Sequence, residues 1–154
     1  MKYGIEEVGI TICDKELEIL GSKSYGMKNP VLENSSNVAD FIYYLYSMQI
    51  KGVEGLYLIA LDENKQVNGI VIMNDVENFR MFCFPQHVKG MFSIFEDKTR
   101  HFYVVHNYKH GEAKVSEADR KYAKRLSNNF PKQYLDYLVI GRLKTVNVKG
   151  ESVC

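Results

Sequence analysis

The feature that most constrains the fold is a pair of apolar runs on either side of a polar turn. EGLYLIALDENKQVNGIVIM, residues 54–73, has aliphatic and β-branched residues in both runs and the polar stretch DENKQ between them. Short apolar runs of this kind, bounded by turn residues, are typical of buried strands. The sequence therefore predicts a hairpin whose strands are buried on at least one face.

Segments with helical periodicity alternate with further strand-like runs. In residues 34–50 apolar side chains recur at i, i+3, i+4 and i+7 behind Ser35 or Ser36, either of which can cap a helix. PQHVKGMFSIFE places proline in the first turn of a short helix, and Ser116 opens a helix over SEADRKYAKRLSNNF. HFYVVH predicts a strand, and LDYLVIGRLKTVNVKG predicts two short ones. This interleaving predicts an α/β or α+β domain with a central sheet flanked by helices.

The beginning of the chain carries a weaker pattern. VGITICDKELEIL is strand-like up to Ile12 and then turns through charged residues. GSKSYGMKNPVLENS, with its glycines and Pro30, predicts an exposed, irregular connection.

Composition limits the class of protein. A chain of 154 residues that is 45% hydrophobic favours one domain over residues 1–154. Its 20 basic and 19 acidic residues leave a net charge of +1, so no overall field attracts nucleic acid or a membrane surface. The first residues have no apolar core of signal-peptide length, and no apolar run reaches the length that spans a membrane, so we expect a protein that is not exported. The three cysteines, without a C-x-x-C pair, fit reduced thiols in the cytoplasm, with Cys13 and Cys83 in the core.

Four residues could cooperate chemically although each also has a structural interpretation. Ser116 fits a helix N-cap, and Asp119 fits a first-turn acid that the helix dipole favours. His106 ends a strand before an asparagine and a glycine loop, and Glu54 stands directly before GLYLIALD. Taken singly, these residues are more often structural than catalytic.

Their order and spacing resemble the RadC-like branch of the JAMM (JAB/MPN) metalloprotein family. The family pattern H-N-H-P-S-G-x-P-x-P-S-x-x-D aligns without a gap on residues 106–119 and matches at His106, Asn107, Gly111, Ser116 and Asp119. EGLYLIALD is similar to the family's glutamate ahead of an apolar strand that closes in Leu-Asp. LDYLVIG resembles L-D-H-I-I-I-G with tyrosine in place of histidine, and FPQHV faintly resembles H-P-R-E-V. The resemblance implies a JAB/MPN-like fold, similar to that of cytidine deaminases, with a mixed sheet in the middle of three layers.

In that family two histidines and the aspartate hold zinc with a water as fourth ligand, the glutamate is the general base, and the serine stabilises the oxyanion. The resemblance implies that His106 and Asp119 are remnant ligands, with Glu54 and Ser116 catalytic if the site is active. Tyr108 stands where the second histidine is usual, and a phenol must lose its proton to ligate well. We expect no bound cofactor. A functional site would hold zinc, with Tyr108 or His110 as its third ligand.

Basic residues surround this motif. They are Lys109, Lys114, Arg120, Lys121, Lys124 and Arg125. One interpretation is a solvated helix face, supported by the i, i+4 spacing of Glu117 and Lys121. The other is a local basic patch that binds an acidic protein or the phosphates of nucleic acid.

The altered motif implies a pseudoenzyme that has lost zinc-dependent hydrolysis and acts as a binding or accessory protein, with a protein partner. The alternative is an active metal-dependent peptidase or isopeptidase with a changed ligand set and Glu54 as base. Small RadC-like domains are often carried by phages and mobile elements, so the resemblance also implies an accessory protein whose partner is a host factor.

Overall fold

The computed structural model describes residues 3–14, 16–46, 54–76, 85–95, 99–107, 113–141 and 144–153. Within these ranges the elements are β1 (Tyr3–Cys13), β2 (Glu16–Lys28), α1 (Ser35–Tyr46), β3 (Gly55–Leu61), β4 (Val67–Met73), α2 (Pro85–Phe92), β5 (His101–Asn107), α3 (Glu117–Asn129), β6 (Tyr134–Ile140) and β7 (Thr145–Asn147). The predicted mixture of helices and strands is confirmed, as is the hairpin of β3 and β4.

The strands form one mixed sheet in the order β2-β1-β4-β3-β5-β6-β7. β1 pairs with β4 and β5 pairs with β6 in parallel, whereas the other neighbours are antiparallel. The parallel pair of β5 and β6 needs a crossover, and α3 lies in it. β3 lies at the centre, and every one of its residues is buried because both faces of the sheet are covered.

Helices cover the two faces of the sheet. On one face Val38, Phe41 and Ile42 of α1 pack with alternate residues of the central strands, such as Ile59 and Val105. On the other face Met91 of α2 and Leu126 of α3 pack with the intervening residues, such as Leu58 and Val104. The period-two alternation of strand side chains thus supplies two cores in a three-layer arrangement. Among the described helices, none is long and apolar enough to cross a bilayer.

The N-termini of α1 and α3 use different caps. α1 begins at Ser35, and the side-chain oxygen of Asn34 accepts the N–H of Asn37 at 3.0 Å. The expectation that a serine caps this helix is therefore wrong, since the Ser35 hydroxyl instead donates to Asp136 at 2.7 Å. At α3 the predicted cap is confirmed: Ser116 and Asp119 form a capping box.

The beginning of the chain differs from the sequence interpretation. GSKSYGMK is not an irregular connection but the second half of β2, which pairs with β1 from Lys28 to Glu16. β2 is an edge strand with most of its residues exposed, so it lacks the buried alternation that marks a strand in a sequence. Cys13 was expected in the core, but it is exposed where β1 ends. Cys83, expected there as well, lies outside the described residues.

Candidate functional site

The site is built around His106, near the end of β5. β3 runs antiparallel to β5 with Gly55 opposite Asn107, so Glu54 directly precedes β3 beside the end of β5. The Nε2 atom of His106 lies 2.5 Å from Oε1 of Glu54, and Nδ1 lies 3.0 Å from Oδ1 of Asp119. The imidazole therefore bridges a buried carboxylate and one whose side chain is 29% exposed.

Asn107 fixes the approach of these two strands. Its side-chain oxygen accepts the N–H of Gly55 at 2.5 Å, and the residue is fully buried. Because Glu54 is bonded to Gly55, this contact holds the Glu54 backbone beside His106. The motif alignment includes Asn107, but no local sequence pattern indicates this positioning role.

Asp119 accepts hydrogen bonds on both of its carboxylate oxygens. Oδ1 receives the Tyr137 hydroxyl at 2.5 Å and lies 3.0 Å from His106 Nδ1, which donates to it in the tautomer that carries a proton on Nδ1. Oδ2 receives the Ser116 N–H at 2.9 Å and the Ser116 hydroxyl at 2.8 Å. A carboxylate offers about four lone-pair positions. These four donors therefore occupy the acceptor capacity of Asp119.

Electrostatics favour the ionised form of Asp119. Burial acts to raise the pKa of its carboxyl, but the hydrogen bonds and charge of His106, with the bonds from Tyr137 and the Ser116 backbone, outweigh burial and hold the pKa well below its usual range. Asp119 is thus a buried anion whose charge is balanced by fixed donors.

Ser116 has a structural role in this arrangement. Its hydroxyl donates to Asp119 Oδ2, and the Ser116 hydroxyl oxygen in turn accepts the Asp119 N–H at 3.0 Å. Both contacts of the hydroxyl thus join Ser116 to Asp119 and fix the first turn of α3. Chemically, the array can hold a proton between Asp119 and the partly exposed Glu54.

Glu54, His106, Ser116 and Asp119 converge as their spacing predicted. Tyr137 joins them on β6, where the sequence marked it only as a departure from the family's histidine. Tyr108, Lys109 and His110 lie outside the described residues. Across the described ranges, no group of three or more histidine, cysteine or acidic side chains is arranged to hold a metal ion.

The basic residues on α3 have different surroundings. Arg120 and Lys124 line a groove between α3 and β6, whereas Lys121 pairs with Glu117 at 3.5 Å and Arg125 lies over the Tyr122 ring at 5.8 Å. Lys149, which sequence reasoning missed, lies in the same groove. Its position just beyond β7 is set by sheet pairing, which no local sequence signal reveals.

Comparison with models of known protein families gave no match, and no curated protein sequence matches the chain.

Proposed function

We propose that this chain is a RadC-like JAB/MPN-type domain in which a hydrogen-bonded network has replaced the metal-ligand set, and that it acts by binding a protein partner rather than by zinc-dependent hydrolysis. The observation that carries the proposal is that hydrogen-bond contacts occupy both carboxylate oxygens of Asp119. A zinc ligand must present a free lone pair to the ion. Here the four lone-pair positions already accept hydrogen bonds.

The geometry of His106 supports the same conclusion. One ring nitrogen of His106 contacts Asp119 and the other contacts Glu54. Neither nitrogen is therefore left to bind a metal ion. A histidine ligand instead uses one nitrogen for the metal and the other for an orienting partner. The arrangement of the described residues does not fit zinc.

Tyr137 supplies a reason for the change in chemistry. Its buried hydroxyl donates to Asp119 Oδ1 at 2.5 Å. A phenol in this place provides a neutral donor that stabilises the buried carboxylate without a cation. The network can therefore keep the fold intact after loss of a metal.

A second candidate is an active metal-dependent hydrolase, and one observation favours it. The Glu54 side chain is 29% exposed and contacts His106, so a general base at this position could reach solvent. This function would require a ligand set completed by residues outside the described ranges, such as Tyr108 or His110.

Zinc content tests the proposal. Wild-type protein purified without a histidine tag is expected to carry substoichiometric zinc after dialysis. Inductively coupled plasma mass spectrometry measures the zinc content. Tyr108→His adds an imidazole and is expected to raise the zinc content. Adding Tyr137→Phe should raise it further, because the substitution removes a donor that competes with metal for Asp119 Oδ1. Tyr108→His with Tyr134→Phe is the matched control, since Tyr134 lies on the same strand.

Stoichiometric zinc in the wild type, together with isopeptide hydrolysis that Glu54→Gln abolishes, would establish the second candidate instead. Equal zinc contents in the Tyr137→Phe and Tyr134→Phe backgrounds would show that the hydrogen bonds of Asp119 do not control metal binding.

A further inference from the structure

We propose that the open edge of β6, with the groove beside it, binds an extended acidic peptide segment of a partner protein by adding that segment to the sheet as a strand. This inference takes the existence of a protein partner from the proposed function. The edge and the groove are observations independent of the zinc question.

The N-terminal half of β6 has a strand on one side only within the described part of the chain. β5 pairs with β6 from Phe102 opposite Tyr134 to Asn107 opposite Ile140, with a register shift after Phe102 that skips Leu135. β7 pairs only with residues 138–140. Residues 134–137 therefore present a sheet edge of about 13 Å, taking about 3.3 Å per residue. The Tyr134 N–H already donates to the Phe130 carbonyl at 2.9 Å, and the remaining main-chain groups of such an edge are a template for an added strand.

A built turn keeps β7 from covering this edge. The Asn147 carbonyl accepts the N–H of Gly150 at 2.8 Å, and its side-chain oxygen accepts the N–H groups of Lys149 and Glu151 at 3.0 Å each. Gly150 has φ 85°, a left-handed conformation that glycine adopts without strain. The chain thus turns away from β6 at Asn147, and Ser152 returns to pair with Val146 on β7.

A groove of about 470 Å³ lies along the open edge. This volume falls within the range of about 300–1,000 Å³ that is usual for ligand sites. α3 forms one wall through Arg120, Lys124 and Ser127, and the edge forms the other through Tyr134 and Leu135. The end of the groove beyond β7 is formed by Asn147, Val148 and Lys149.

The charge of the groove selects an acidic occupant. Arg120, Lys124 and Lys149 are exposed, and the ion pairs found among the described residues do not use them. Asp136 is the single acid of the lining, and its carboxylate already accepts the Ser35 hydroxyl at 2.7 Å and the Tyr137 N–H at 2.8 Å. The cations of the groove thus have an excess of charge for a ligand to neutralise.

The edge and the cations together fit an extended peptide. A strand added beside β6 would pair its main chain with that edge and direct alternate side chains towards α3. Acidic residues at every second position would then meet Arg120 and Lys124. The incoming main chain would take over the Tyr137 N–H from the Asp136 side chain. A nucleic acid could use the cations but would leave the main-chain groups of the edge unused.

The test uses the full chain and short acetylated peptides in which glutamate alternates with threonine. Affinity is measured by fluorescence polarisation, and the binding surface by amide chemical shifts. We expect binding that shifts the amides of residues 134–137 and weakens with salt. Lys124→Glu should weaken binding by about 5-fold or more, because a cation that faces the ligand becomes an anion. Lys121→Glu is the matched control on the same helix but outside the groove, and it should leave the affinity within about 2-fold.

Two control peptides separate strand addition from charge attraction alone. A peptide in which glutamate alternates with proline keeps the charge but loses main-chain N–H donors, so it should bind much more weakly. A peptide in which lysine alternates with threonine should not bind.

Several results would overturn the proposal: no binding, equal binding of the proline peptide, amide shifts centred on the other open edge at β2, or binding of single-stranded oligonucleotide but not of the acidic peptide. Zinc content measured on the same samples keeps the two proposals apart. Peptide binding by a zinc-loaded wild type would retain this inference and remove the pseudoenzyme proposal, and a zinc-free protein without peptide binding would do the reverse.

Discussion

A buried carboxylate such as Asp119 is stable only while its donors remain in place. An ion moved from water into a protein interior loses hydration worth several kcal/mol, and fixed hydrogen bonds must compensate for that loss. His106, Ser116 and Tyr137 supply these bonds from three different elements. The site residues therefore connect β5, α3 and β6, whatever their role in binding or catalysis.

Tyr137→Phe tests how much one donor contributes. The substitution keeps the buried ring but removes the hydroxyl that donates to Asp119, and a hydrogen bond to a charged group contributes about 1.5–3 kcal/mol. We expect the free energy of unfolding in urea to fall by about that amount. Tyr44→Phe is the control, since Tyr44 is 73% exposed, and it should change the value by less than about 0.5 kcal/mol. Equal effects of the two substitutions would contradict a stabilising role for the Tyr137 hydroxyl.

At the scale of the elements, sequence patterns predicted those helices and strands whose apolar residues face a core. The apolar runs of β3 and β4 and the periodicity of α1 are visible because these elements face a core. β2 was missed because most residues of this edge strand are exposed, so its sequence lacks an apolar pattern.

The candidate site was predictable in part for a related reason. The capping pattern of Ser116 and Asp119 is local, so spacing along the chain predicts it. The contact of Tyr137 with Asp119 instead depends on the parallel register of β5 and β6, which a single sequence does not specify. The same limit applies to the position of Lys149 in the groove.

Gly69 marks a close contact between elements that the sequence did not indicate. A Cβ atom added there, in β4, would clash with the ring of Phe95, which is buried. Gly69→Ala should therefore lower the free energy of unfolding by about 1–3 kcal/mol through overpacking. Gly21→Ala in β2 is the matched strand control, because its Cβ would meet nothing within 4 Å.

A double-mutant cycle identifies the cause. Phe95→Leu removes the ring, so Gly69→Ala should cost less in that background, with a coupling energy of at least about 0.5 kcal/mol. If the costs of Gly69→Ala and Phe95→Leu simply add, the ring is not what restricts residue 69.

At the scale of the whole molecule, the two covered faces bury different polar groups. The α3 face buries the His106 and Asp119 network. On the α1 face the Glu7 carboxylate accepts the Tyr25 hydroxyl at 2.7 Å and the Tyr46 hydroxyl at 2.6 Å. The sheet thus separates two polar clusters, and the cluster on the α1 face depends on neutral phenols.

The phenols make the whole fold sensitive to alkaline pH. Among the chain's 11 tyrosines, the pKa is raised first by burial and then by nearby carboxylates at Tyr25, Tyr46, Tyr57, Tyr103 and Tyr134. For Tyr57 and Tyr103 the pKa rises to about 12. An unfolded tyrosine has a pKa of about 10. The folded state therefore retains these protons over a pH range in which the unfolded state releases them.

The sign of the effect follows from this difference. Because the folded pKa is the higher one, the stabilisation is fully present below about pH 10 and is lost as pH rises towards 12. Each such tyrosine should lower the free energy of unfolding by up to about 1.4 kcal/mol per pH unit in that window. Urea unfolding followed by circular dichroism from pH 8 upward measures the slope, and Tyr57→Phe should make it shallower than Tyr44→Phe does. Native protein whose tyrosinate absorbance shows every phenol ionising near pH 10, without unfolding, would contradict this account of the buried tyrosines.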